Sequence, residues 1–162
     1  MGDIKYLVMD VDGTLTDGKI YIGEHGELMK AFSVKDGYGI GVILRDYCII
    51  PVIITGRMSK IVENRCREIG VEKIYQGIGD KTAFLKELIP DLSKVAYMGD
   101  DLNDLDAMIE VRKHGGITGC PSDAVTKVRQ HSDYISMLPG GGGAVRDFID
   151  WIIIDNSARV NV

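Results

Sequence analysis

The chain has 162 residues, the length of one domain, and can bury a core without staples. With 45% hydrophobic and 27% charged residues it reads as globular rather than disordered. A net charge of −5 excludes a sequence-independent grip on nucleic acid, which needs a basic surface.

The first apolar run, Ile4–Met9, reads as a strand and ends in Asp10-Val11-Asp12-Gly13-Thr14. Two carboxylates so close repel unless a cation or a shared proton relieves them. A metal ion is the motive for such a pair, and an Asp-Gly surface turn is the plain alternative. Lys19–Ile22 and Leu28–Phe32 then flank Gly23-Glu24-His25-Gly26-Glu27 and predict a β-hairpin. A hairpin alone is marginal in water, so this one is expected to pack on something, such as a neighbouring subunit.

A second strand, Ile49–Ile54, leads into Thr55-Gly56-Arg57, a hydroxyl and a backbone N–H expected at a helix start. That arrangement suits a phosphate, with an empty N-cap threonine as the alternative. Met58, Ile61, Val62, Cys66 and Ile69 follow helical spacing. A third strand, Lys73–Tyr75, precedes Asp80-Lys81 at the start of a helix carrying Phe84, Leu85, Leu88 and Ile89. Lysine opposes the helix dipole there, and Asp80 offsets it as a cap.

The fourth strand, Lys94–Met98, runs into Gly99-Asp100-Asp101-Leu102-Asn103-Asp104. Mg²⁺ takes oxygen ligands, usually one or two carboxylates. Capping by Asp101 or Asn103 is also expected but does not need so many acids. Gly116–Thr118 reads as a fifth strand. Pro139-Gly140-Gly141-Gly142-Gly143 has the composition of a flexible linker. A helix from Ala144 to about Ile154 follows, with Val145, Phe148, Ile149 and Ile152 as its core stripe. Trp151 and Ile154 lie off that stripe and predict a second buried surface. Fraying is expected from Asp155.

The alternation predicts one α/β domain over 1–162, a Rossmann-like parallel sheet with helices on both faces, plus the hairpin insertion after the first strand. Ligands of such sheets bind beyond the carboxyl ends of the strands. Asp10 and Asp12, Thr55, Lys81, and Asp100 with Asp104 all fall there, and one shared site explains them better than four separate turns. Cys48, Cys66 and Cys120 are odd in number and widely spaced, so they predict buried hydrophobes rather than a disulfide framework or zinc site. No run approaches a membrane span, and the first apolar stretch is too short for a signal core, so a cytoplasmic protein with no membrane partner is expected. His25, His114 and His131 have no ligand spacing.

These residues resemble a known family. The four motifs, Asp10 to Thr14, Thr55 to Arg57, Lys81, and Gly99-Asp100-Asp101, are similar to those of the haloacid dehalogenase superfamily phosphatases across nearly the whole chain. The lack of a large cap insertion resembles the cap-less subclass. Thr16-Asp17-Gly18, Phe32–Gly39 and Gly140–Arg146 are similar to phosphatases of an eight-carbon ulosonic acid 8-phosphate, used in lipopolysaccharide sugar synthesis. Their relatives act on nine-carbon sialic-acid-type 9-phosphates.

The resemblance implies a Mg²⁺-dependent enzyme in which Asp10 attacks phosphorus and Asp12 is acid, then base. It implies Mg²⁺ on the Asp10 and Asp100 side chains and the Asp12 carbonyl, phosphoryl contacts from Thr55 and Lys81, and a supporting role for Gly56. Asp101 and Asp104 would orient this set, and Lys35, Arg57 and Arg65 would be substrate-binding candidates. It further implies a homotetramer built through the hairpin, with the Gly140–Gly143 tail closing a neighbour's site. The chain departs from the family in having Gly141-Gly142-Gly143 where relatives often carry a charged residue. Arg57 stands where nine-carbon relatives can carry Glu, favouring the eight-carbon acid. Two rivals remain: a non-catalytic oligomerisation module, and a phospho-acceptor domain. The latter puts its aspartate after the third strand, where this chain has Ile74-Tyr75-Gln76-Gly77.

Overall fold

The computed structural model describes residues 4–160, the last six by their backbone alone. In chain order the strands and α-helices are β1 (Tyr6–Met9), β2 (Tyr21–Gly23), β3 (Gly26–Met29), α1 (Val34–Tyr38), α2 (Leu44–Asp46), β4 (Ile50–Ile54), α3 (Lys60–Glu68), β5 (Lys73–Tyr75), α4 (Lys81–Leu88), β6 (Val95–Met98), α5 (Leu102–Lys113), β7 (Ile117–Cys120), α6 (Thr126–Gln130), β8 (Tyr134–Ile135) and α7 (Ala144–Val160). Six strands form one parallel sheet in the order β5-β4-β1-β6-β7-β8, and β2 and β3 form a separate antiparallel hairpin.

Central strands of such a sheet are apolar on both faces because helices cover both. In β1, Leu7 and Met9 enter a core with Ile40, Leu44, Val62, Cys66, Phe148 and Ile149, while Val8 enters one with Leu85, Met108, Val111 and Val128. β1 lies between β4 and β6 in matched register, Met9 standing opposite both Ile53 and Met98. The strand ends that carry Asp10, Thr55 and Asp100 are therefore neighbours. No helix among the described residues is long and apolar enough to cross a membrane.

Several expectations need correction. β8 was not expected, because two residues carry no periodicity; pairing of Tyr134 with Gly119 and Ile135 with Cys120 defines it. The helical run 34–46 was also missed. Gly37, Gly39 and Gly41 lower its intrinsic propensity, and a π-turn (Gly39–Ile43) joins α1 to α2. Packing requires those glycines: a Cβ on Gly41 would stand 2.6 Å from the Ile69 carbonyl, and one on Gly39 3.0 Å from Ile149. Thr55 does not start a helix, because α3 begins at Lys60 with Ser59 as its cap. Cys66 and Cys120 are buried, but Cys48 is exposed in a tight turn with φ 55°. Trp151 does find a second surface, stacked 5.0 Å from Tyr134, whereas Ile154 is exposed. α7 continues past Asp155 to Val160, so fraying is not seen up to there, and residues 161 and 162 lie outside those described.

The Gly140–Gly143 segment is not an extended tail. Gly140 is buried, and its N–H donates to Asp123 Oδ1 at 2.9 Å. The Gly141 N–H donates to the Thr14 carbonyl at 3.2 Å. A Cβ on Gly140 would lie 1.9 Å from the Gly13 carbonyl. The segment thus packs as tight turns on the Asp10 loop of its own chain.

Candidate active site

Leaving β1, the chain turns at Val11–Gly13; Gly13 has φ 92°, a conformation that favours glycine. A Cβ there would overlap the Asp100 carboxylate, so this glycine also admits Asp100 beside Asp10. The N–H groups of Thr14, Leu15 and Thr16 all donate to the Val11 carbonyl, which winds the loop tightly. The Thr14 hydroxyl donates to Asp100 Oδ1 at 3.1 Å and links the loops after β1 and β6.

Asp10 and Lys81 are buried together, Lys81 Nζ lying 2.8 Å from Asp10 Oδ1 and 2.7 Å from Asp104 Oδ1. Lys81 opens α4, capped by Asp80, whose carboxylate accepts the Ala83 N–H as expected. Asp104 also accepts the Tyr97 hydroxyl at 2.9 Å and the Asp100 N–H at 3.2 Å. Asp101 caps α5, and Asp104 completes its capping box.

One ammonium thus serves two buried carboxylates, and a third lies next to them. Burial alone would push the Lys81 ammonium down, but Asp104 and Asp10 outweigh that and raise it. Asp10 is pushed up to about 6, by burial and then by Asp104, with Lys81 pulling the other way. Asp100 is pushed up to about 8 by burial and by the charges of Asp10 and Asp104. Desolvated carboxylates crowded this closely repel one another, and a further cation between them would relieve that repulsion. Oxygens of Asp10, Asp100 and Asp104 lie within 4.8 Å of one another. Since Asp104 already has Lys81, Tyr97 and backbone N–H partners, Asp10 and Asp100 are the ones that fit a hard divalent cation.

A cavity of about 250 Å³ opens above this cluster, lined by Asp10, Asp12, Gly18, Thr55, Gly56, Arg57, Asp100, Asp101 and Asn103. Thr55 is buried at the end of β4 and lines the cavity beside Gly56, where a hydroxyl and a backbone N–H can meet an oxygen of a ligand. Lys81 and Asp104 lie beneath the cavity floor. Lys35 and Arg65 do not line it: Lys35 is exposed on α1, and Arg65 pairs with Glu68 at 2.9 Å beside Gly37. Of the proposed substrate contacts, only Arg57 reaches the cavity of its own chain.

Sequence reasoning placed Thr14 in the first motif without a role of its own, and missed Tyr97 and Lys30. Lys30 follows β3, and its side chain is 1% exposed although its backbone is open. Its ammonium contacts Asp12 Oδ1 and lies 2.9 Å from Glu27 Oε1. Burial would lower it, but the hydrogen bonds to Asp12 and Glu27 raise it. Glu27 in turn accepts the Ser59 hydroxyl, so the hairpin is latched onto its own site. A lysine near an antiparallel turn carries no sequence signal of this contact.

Comparison with known proteins agrees with this geometry. No family model matches the chain. It is 41% identical over 156 residues to the 3-deoxy-D-manno-octulosonate 8-phosphate phosphatase KdsC of Escherichia coli (strain K12), covering 94% of this chain and 80% of that protein. The chain belongs to the KdsC family. Among solved structures, the KdsC phosphatase of Yersinia pestis superposes with a TM-score of 0.85 at 39% identity, covering 95% of this chain and 83% of that one. That of Moraxella catarrhalis, in complex with magnesium, phosphate and KDO, superposes with a TM-score of 0.86 at 39% identity over 98% of this chain and 92% of that one. Haloacid dehalogenase superfamily hydrolases appear among the KdsC structural neighbours. The expected superfamily, the α/β fold without a separate cap, and the phosphatase class are all borne out.

Proposed function

We propose that the chain is a Mg²⁺-dependent phosphatase that hydrolyses 3-deoxy-D-manno-octulosonate 8-phosphate through an aspartyl-phosphate on Asp10. The observation that carries this reading is the trio of Asp10 and Asp100, lining one cavity, and Lys81, paired with Asp10 below it, at the carboxyl ends of the parallel strands. In this reading Asp10 and Asp100 hold Mg²⁺ with help from the Asp12 carbonyl. When bound, Mg²⁺ supplies positive charge that lets a phosphate dianion approach a carboxylate and offsets the charge of the transferring group.

The remaining chemistry belongs to the chain. Asp10 attacks phosphorus as the bond to the sugar oxygen breaks, and Asp12 gives that oxygen its proton. Asp12 then takes a proton from the water that opens the aspartyl-phosphate. Lys81, from the floor, and the Thr55 hydroxyl and Gly56 N–H, from the wall, hold phosphoryl oxygens. Phosphoryl transfer is mostly positioning and charge neutralisation, which is what these groups provide. Asp104 orients Lys81, and Asp101 orients the loop by capping α5. Arg57 supplies a cation at the cavity mouth for the sugar acid's carboxylate. Lys35 and Arg65 reach a substrate only if they serve a neighbouring subunit's site.

A homotetramer built through the hairpin is part of this reading. Ile20, Ile22, Leu28 and Met29 are large apolar side chains left exposed in and beside the hairpin, which supports it. A cytoplasmic setting is supported by the unpaired cysteines. The test is phosphate release with Mg²⁺ from the eight-carbon and nine-carbon ulosonic acid phosphates and from simple sugar phosphates. A preference for the eight-carbon acid, lost with a chelator and abolished in Asp10→Asn, is expected. Equal slow turnover of all would reject the substrate assignment, and activity in Asp10→Asn would reject the nucleophile.

A further inference from the structure

Asp12 carries the acid–base chemistry in the reading above, and a carboxylate in that role must present one oxygen to the leaving group. Its side chain is 18% exposed and lies on the loop after β1, so it lines the cavity while its oxygens keep protein neighbours. Its two oxygens have different surroundings. Oδ1 is in contact with the buried Lys30 ammonium. Oδ2 is 3.7 Å from Arg57 Nε, beyond a hydrogen bond, and Arg57 is half exposed.

Lys30 is itself pinned. Glu27 Oε1 lies 2.9 Å from its ammonium, and the other Glu27 oxygen accepts the Ser59 hydroxyl. Ser59 caps α3, and its N–H donates to Gln76 Oε1 at 2.8 Å. A chain of polar contacts therefore runs from the loop after β5, through the start of α3 and the hairpin, to one oxygen of Asp12. Burying a lysine side chain in such a chain is costly unless the arrangement is used or fully paired.

We propose that Lys30 is a positioning residue for the acid–base carboxylate: it fixes Asp12 Oδ1, so that Oδ2 is the oxygen that gives its proton to the leaving group. The proposal rests on the acid–base reading of Asp12. It also makes the seating of the hairpin a condition of turnover, since Lys30 moves with β3. In the step concerned, Asp10 forms its bond to phosphorus, the phosphorus–oxygen bond to the sugar breaks, and the Asp12 proton passes to that oxygen. A sugar alkoxide needs this proton, whereas 4-nitrophenolate leaves without it.

The experiment is single-turnover release of the leaving group, with saturating Mg²⁺, from the eight-carbon sugar phosphate and from 4-nitrophenyl phosphate. It compares the parent with Lys30→Met, Lys30→Arg and Asp12→Asn. General acid–base catalysis contributes about 10²–10⁴-fold, so misorientation in Lys30→Met should slow sugar release about 10- to 100-fold. Nitrophenolate release should fall less than about threefold, with KM and the Mg²⁺-induced thermal shift nearly unchanged, and Lys30→Arg should recover most of the loss. A folded Lys30→Met with equal losses on both substrates, or none on the sugar, overturns the proposal. If Asp12→Asn shows no dependence on the leaving group, the acid–base reading itself fails. If Asp12→Asn shows it and Lys30→Met does not, only the role of Lys30 fails. Should Lys30→Met not fold, Glu27→Gln loosens the same lysine from its other side. A weaker split between the two substrates is then expected, and its absence overturns the proposal.

Discussion

Replacing Asp100 by Asn should stabilise the metal-free protein while destroying its response to Mg²⁺. Asp100 is pushed from 3.8 up to about 8 by burial and by the charges of Asp10 and Asp104. A folded carboxyl with a raised pKa binds a proton more readily than the unfolded chain does. Stability is therefore lost as pH rises from about 4 to about 8. A rise of that size has a ceiling of about 6 kcal/mol at 1.36 kcal/mol per unit. The adjacent cavity is open to solvent and Asp100 is only partly buried, so about half, ~3 kcal/mol, is the working figure. For a chain of this length that is about 6–12 °C in Tm. Asn keeps the shape and the acceptor for the Thr14 hydroxyl, so little else is lost. The assay is thermal unfolding of both proteins at about pH 6 and about pH 9, with chelator and with saturating Mg²⁺. In chelator at the higher pH the variant should melt above the parent, and the gap should shrink at the lower pH. Mg²⁺ should raise the parent and leave the variant nearly unmoved. A variant that melts at or below the parent in chelator at about pH 9, or a gap indifferent to pH, would show that the Asp100 charge is already satisfied without metal.

Lys81→Met should strand Asp10 and Asp104 as buried carboxylates without their cation, costing about 3–5 kcal/mol by denaturant unfolding and abolishing phosphate release. Gly140→Ala puts a methyl against the Gly13 carbonyl and should cost about 1–3 kcal/mol. Because the strain falls on the loop that bears Asp12, kcat should drop with it; an unchanged kcat would mean the loop yields freely. Asp36, at the N-terminus of α7, accepts the Arg146 N–H at 2.8 Å, and burial pushes it from 3.8 up to about 6. Being raised, it withdraws stability as pH climbs through that window, by about 3 kcal/mol. Asp36→Asn should remove that part of the pH slope in urea titrations, whatever its effect on the absolute level.

Much of the site was legible because phosphoryl chemistry at the edge of a parallel sheet leaves local marks. Asp10, Thr55, Lys81 and Asp100 each follow or approach an apolar run that reads as a strand, and strand order alone brings three of them together. The alternating cores on both faces of β1 were equally implicit in its unbroken apolar run. What the sequence by itself determined was therefore what depends on neighbours a few residues away: strands, caps such as Asp80 and Asp101, and the acidic ends.

Tertiary structure decided what depends on long-range approach. Lys30 meets Asp12 only because the hairpin folds back over its own site. Gly140 reads as linker until Gly13 is seen against it, and the glycines of 37–41 weaken a helix that packing on Ile69 and Ile149 then enforces. Arg65 is drawn away to Glu68 and the Gly37 backbone rather than to the cavity. The reason is the same in each case: a short sequence window records propensity and periodicity, whereas close approach and charge pairing across 18 or 127 residues are properties of the packed chain.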